Sequence, residues 1–85
     1  MTTEGYVKEQ KVYDRLNNNF VYHKPFGSQP ERYETIRAKA KELAETLTVL
    51  CPESRELSLA LTNLEQSIFW ANASIARNEM EKSQE

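Results

Sequence analysis

The most regular apolar pattern in the chain lies in its last third. Leu57, Leu61, Leu64, Ile68, Ala71 and Ile75 step by four, three, four, three and four residues, which is a heptad seam. Ser54 stands before it as a natural N-cap, so the pattern predicts a helix over residues 54–79. Upstream, Tyr33, Ile36, Ala40, Leu43, Leu47 and Leu50 recur at three- or four-residue spacing through a background of Ala, Glu, Lys and Arg, all good helix formers. Ser28 and Glu31 fit a capping box, and Pro30 falls in the first turn, where its missing N–H costs no helical bond. This predicts a second helix over 28–51. Only Pro52 and Glu53 separate the two, so they are expected to run antiparallel as an α-helical hairpin.

The N-terminal stretch is less regular. Tyr6, Val7, Val12, Tyr13, Leu16, Phe20 and Val21 have approximately helical spacing, but Asn17, Asn18 and Asn19 interrupt them, and Asn competes with the backbone inside helices. A short or kinked helix between Tyr6 and about Tyr22 is expected, followed by a structured connection through His23–Ser28, in which Pro25 disfavours helix at Lys24. The last helix also carries Leu59, Ala60, Phe69, Trp70 and Ala73 off its seam. A two-helix hairpin has only one internal contact, so this second apolar face predicts obligate self-association. The polar end from Glu79 to Glu85 is expected to fray. The fold class expected is all-α: one domain over 1–85, with residues 1–27 forming the N-terminal helix and loop.

Composition narrows the function. One Cys, Cys51, excludes an internal disulfide framework, and a lone His, His23, excludes the usual His-rich zinc arrangements within one chain. No apolar run approaches the roughly 20 residues needed to span a bilayer, and no basic segment precedes an apolar one near Met1. A cytoplasmic protein with no membrane partner is therefore expected. Eleven basic and 13 acidic side chains give a net charge of −2, distributed as +1 over residues 1–28, zero over 29–50 and −3 over 51–85. That balance argues against duplex nucleic acid, whose phosphates want a basic face, and leaves room for a small anion held by a few cations.

Catalytic chemistry is sparse: the two glycines, Gly5 and Gly27, form no phosphate loop, and neither an HExxH nor a paired-cysteine motif occurs. His23 beside Lys24 reads as an acid–base candidate or, more plainly, as a hydrogen-bonded loop histidine; Cys51 reads as a small apolar residue. Binding chemistry is better represented. Lys24, Arg32 and Arg37 bracket the start of the second helix, Ser54 and Arg55 open the third, and Tyr13, Tyr22, Phe26 and Tyr33 offer rings for stacking. Each has a plainer reading as well, with the arginines paired to Glu31, Glu34 or Glu56 and the rings packed. From the residues alone, a partner-binding helical module and a nucleotide site both remain open.

Two runs, HKPFGSQPERYETIRAKAKELA over 23–44 and PESRELSLALTNLEQSIFWANASIARNE over 52–79, resemble the phage-encoded anti-CBASS proteins that act as sponges for cyclic oligonucleotide signals. The same hairpin module is similar to that of phage proteins countering Thoeris defence by sequestering a cyclic ADP-ribose-type signal. The short chain resembles the compact anti-CBASS branch rather than the branch with an extra N-terminal β-rich region. The resemblance implies stoichiometric capture without cleavage, with no catalytic residue, cofactor or metal, in the cytoplasm of an infected bacterium. It further implies a homohexamer that binds cyclic purine dinucleotides such as cyclic GMP–AMP between protomers and, in several cases, cyclic trinucleotides near three-fold axes. Carried onto this sequence, the resemblance makes Lys24 the candidate phosphate contact of the dinucleotide site and Tyr13 the candidate stacking residue, with Tyr6 and Tyr22 as the alternatives for that role and His23 and Phe26 beside them. Ser54 and Arg55 are the trinucleotide candidates, and Arg32, Tyr33, Arg37, Asn72 and Arg77 are ligand or interface candidates. A small helical adaptor is the alternative outside this family.

Overall fold

Cys51 takes an extended backbone (φ −113, ψ 141), as a residue before proline must, and this ends one long helix and turns the chain into the next. The computed structural model describes residues 5–80 and contains three helices: α1 (Gln10–Asn19), α2 (Gln29–Leu50) and α3 (Arg55–Asn78). No strand occurs among the described residues. α2 and α3 form the expected antiparallel hairpin. Ser54, extended at φ −167 and ψ 167, caps α3 by accepting from the Leu57 N–H at 3.1 Å, while its own hydroxyl donates to the Pro52 carbonyl.

The predicted capping box at the other end does not form. Ser28 sits at φ −85, ψ 2 rather than in the extended region a capping serine needs, because it belongs to a tight turn from Phe26 to Gln29. In that turn the Gln29 N–H donates to the Phe26 carbonyl at 3.0 Å, and Gly27, at φ +56, supplies the left-handed position. A positive φ followed by Ser28 near −85, 2 fits a type II′ turn, whose first central residue favours glycine. Ser28 Oγ instead accepts from Arg32 Nε at 3.0 Å.

The N-terminal helix is shorter than the spacing suggested: Tyr6 and Val7 precede it, and it runs straight through Asn17–Asn19 before stopping. The Asn run is tolerated because Asn18 is used at both polar ends. Its side-chain amide donates to the Arg77 carbonyl at 3.0 Å, one of the orphan acceptors at the C-terminus of α3, and its own carbonyl receives His23 Nε2–H at 2.6 Å. This pair of bonds docks the end of α1 onto the open end of the hairpin.

Seam positions Leu57, Leu61, Leu64, Ile68, Ala71 and Ile75 are all half-buried, facing Tyr33, Ile36, Ala40, Ala44 and Leu47. Leu43 and Leu50, expected in that seam, are exposed, and Ala44 takes the inner place. The inward positions of α2 step by three, four, four and three, so the 3.6-residue turn brings Ala44 rather than Leu43 inward after Ala40, and Leu50 is the last residue before the chain turns away at Cys51. No apolar side chain among the described residues is fully buried. The radius of gyration is 18.4 Å, against about 12 Å for a compact domain of this length. The single chain therefore leaves its apolar surface uncovered: Phe69 and Trp70 are 67% and 68% exposed.

Candidate functional site

The open end of the hairpin is where α1, the His23–Ser28 connection, the start of α2 and the end of α3 converge. The residue that organises it is Gln29, which is 2% exposed. Its Nε2 donates to Glu79 Oε1 at 3.0 Å, and its Oε1 accepts the Phe26 N–H at 3.2 Å. Arg32, one turn along α2, grips the same carboxylate with both terminal nitrogens, to Oε2 at 2.8 Å and to Oε1 at 2.6 Å. Hydrogen bonds from Arg32 first, and from Gln29 second, hold the Glu79 carboxyl down to about 2 from 4.5, and the carboxylate in turn raises Arg32 above its ordinary value. Glu79, expected to fray, is thus anchored; residues 81–85 of that expected tail lie outside the described residues.

Beside this cluster opens a groove of about 410 Å³ lined by Tyr22, His23, Tyr33, Arg37, Asn72 and Arg77, together with small residues of α3. Its volume is that of a small-ligand site, for which roughly 300–1,000 Å³ is usual. Neither arginine has a carboxylate partner among the described residues. The Arg77 guanidinium lies 6.0 Å from the Trp70 ring centre, the outer range of a cation–π contact. Asn72 Oδ1 is buried with no hydrogen-bond donor among the described residues. An orphaned buried acceptor costs about 1–3 kcal/mol, so a donor reaching this oxygen from outside the single chain would be favourable. Asn72 also lines a larger apolar groove of about 640 Å³ along the hairpin face, with Arg37, Leu61, Leu64, Ile68 and Phe69.

Five candidates named from sequence, His23, Tyr33, Arg37, Asn72 and Arg77, therefore meet in one groove although they span 55 positions. Arg32 is committed to Glu79 and Ser28 instead. Lys24 is exposed beside the groove's His23 and makes no ion pair among the described residues. Phe26 is half-buried in the turn, and Tyr13 lies on α1 with its hydroxyl accepting the Lys8 N–H at 3.3 Å. Ser54 and Arg55 sit at the closed end of the hairpin. The 22 residues of α2 put roughly 33 Å between them and the Lys24 loop, too far for one small ligand to reach both within a chain. Gln29, Glu79 and Asn18 were not singled out from the sequence, and their long-range partners are 47 to 59 residues away.

His23 donates through Nε2 to the Asn18 carbonyl, so that nitrogen is committed to holding the end of α1. No grouping of His, Cys, Asp and Glu among the described residues has the form of a metal site, and no helix there is long and apolar enough to cross a membrane. Comparison with curated proteins and with solved structures gives no match. A family model does match: residues 13–76 fit "Acb2/Tad1, hairpin domain", covering α2, the turn after it, α3 up to its last two residues and most of α1. With three quarters of its length in that match and the same helical hairpin in its fold, the chain belongs to the Acb2/Tad1 hairpin family, the anti-CBASS cyclic-nucleotide sponges.

Proposed function

We propose that the whole chain, residues 1–85, acts as one capture domain, assembled as a homohexamer, that withdraws cyclic di- and trinucleotide immune signals from a CBASS defence without cleaving them. The observation that carries this reading is the groove lined by two tyrosines, His23, Asn72 with its orphaned oxygen, and two arginines that have no carboxylate partner among the described residues. Guanidinium groups suit phosphodiester oxygens, rings suit base faces, and an amide oxygen suits a base amino group. Lys24 on the adjoining loop supplies the phosphate contact for a dinucleotide, with Tyr13, His23 and Phe26 around it. Arg55, beside the Ser54 cap at the far end, serves the trinucleotide. Capture needs no reactive group, and His23, the only histidine, spends one ring nitrogen holding α1. The site is anionic-ligand chemistry on a chain of net charge −2, which fits a ligand carrying two or three phosphates better than a long polyanion.

Calorimetry on Lys24→Ala and Arg55→Ala with cyclic GMP–AMP and a cyclic triadenylate tests the assignment, once both variants keep the assembled mass of the parent. Loss of a charge-assisted contact costs about 1.5–3 kcal/mol, roughly ten- to a hundredfold in affinity. Lys24→Ala is expected to weaken the dinucleotide and Arg55→Ala the trinucleotide. Equal loss of both ligands in both variants would leave a single shared pocket, and no loss in either would remove both cations from the site.

A further inference from the structure

The loop that the proposed function uses is held in part by residues other than those assigned to the ligand. The stretch from His23 to Ser28 is pinned at two places. At its start, His23 Nε2–H donates to the Asn18 carbonyl, which is itself tied through the Asn18 side chain to the end of α3. At its end, Phe26 is bonded to Gln29 twice, through its carbonyl to the Gln29 backbone and through its N–H to the Gln29 side chain. Lys24 lies between the pins, followed by Pro25, whose ring fixes φ and leaves few free torsions up to Phe26. The side-chain bond of the second pin forms only while the Gln29 amide keeps one orientation. Glu79 sets that orientation, since a carboxylate accepts only: the amide NH₂ must face it and the amide oxygen must face Phe26. Arg32 keeps the carboxylate ionised and in place. Glu79 lies beyond the residues that the family model covers.

We propose that Gln29 and Glu79 are positioning residues for ligand capture: through the Phe26–Gln29 turn they hold Lys24 and Phe26 in the arrangement that receives a cyclic dinucleotide. The inference rests on the assignment of that loop to the dinucleotide. A loop ordered before binding spares the ligand the entropy of ordering it, so affinity depends on two side chains that never meet it.

Glu79→Gln and Gln29→Met test this, the first removing the charge and the second removing the amide at nearly constant volume. Two readouts are taken on the full chain. In ligand-free protein, amide hydrogen exchange at Phe26 is expected to accelerate in both variants while amides in the middle of α2 and α3 keep their protection. In calorimetry with cyclic GMP–AMP, both variants are expected to bind about five- to tenfold more weakly, with the affinity for a cyclic triadenylate at the far end of α2 unchanged. A purely stabilising pair would lower the melting temperature and leave the dinucleotide affinity of the folded protein at the parent value. That result, or unchanged exchange at Phe26, overturns the proposal. A parent protein that binds no cyclic dinucleotide would refute the functional reading instead, and the two failures are told apart by the parent's own titration.

Discussion

Phe69 is the sharpest handle on how the single chain completes itself. Its ring is 67% exposed, beside Trp70 at 68%, and neither belongs to the seam that joins α2 to α3. A phenylalanine buries about 150–200 Å² when fully covered, so covering the exposed remainder takes roughly 100–130 Å² out of water. At about 25 cal/mol per Å² this is worth about 2.5–3 kcal/mol, or close to a hundredfold in an association constant. Phe69→Ala is expected to weaken self-association by that factor while leaving the seam residues Leu57, Leu61, Leu64 and Ile68 in their places. Trp70 is the only tryptophan and reports the event directly, with blue-shifted emission in the assembly that moves to the red as copies separate. Dilution from micromolar to nanomolar concentration, followed by emission and by sedimentation in parallel, gives both dissociation curves. Superimposable curves for parent and variant would refute the claim that this face is covered by another copy. A parent that sediments as a folded monomer near 9.9 kDa at micromolar concentration would refute self-association itself.

Two further outcomes follow from the open end of the hairpin. Because Glu79 titrates near 2 when folded and near 4.5 otherwise, the unfolded chain takes up its proton first; the stability from the Arg32–Glu79 pair is complete above about pH 4.5 and is lost as pH falls toward 2. Melting temperatures of the parent and of Glu79→Gln, compared across that range, should converge with acidification, and parallel curves would sink the argument. Gly27→Ala meets no atom within 4 Å, yet its φ of +56 strains any L side chain, so a loss of about 1–2 kcal/mol in urea unfolding is expected from backbone conformation alone. An unchanged midpoint would mean that the Phe26–Gln29 turn relaxes freely.

The hairpin was legible because its information is local. Heptad spacing on α3, a serine cap at Ser54 and a proline after Cys51 each act within a few residues, and together they leave one arrangement of two helices. In α2 a strict three–four alternation gave Leu43 the inner place that a second step of four gives to Ala44. At the N-terminus, Asn17–Asn19 looked like a break because their usual competition with the backbone is a local effect, whereas the bonds from Asn18 to Arg77 and from His23 to Asn18 are made by tertiary docking. The same limit hid Gln29 and Glu79. Nothing near either residue in sequence signals a partner 50 positions away, and Ser28–Glu31 offered a plausible local cap in place of the turn that forms. Family-motif resemblance, rather than spacing, singled out Asn72 and Arg77, and the structure then placed them together with Tyr33 and Arg37 in one groove.

Capture without cleavage and turnover of the signal give opposite results in one experiment. The protein is mixed in molar excess with cyclic GMP–AMP, the unbound ligand is removed by filtration and measured, and the retained complex is heated to release what it holds. Free ligand is expected to disappear from the filtrate in proportion to protein added, and chromatography of the heated fraction to recover it as the intact cyclic species. Linear or mononucleotide products would contradict capture without cleavage by making the protein an enzyme, and ligand left wholly in the filtrate would contradict it by removing the capture.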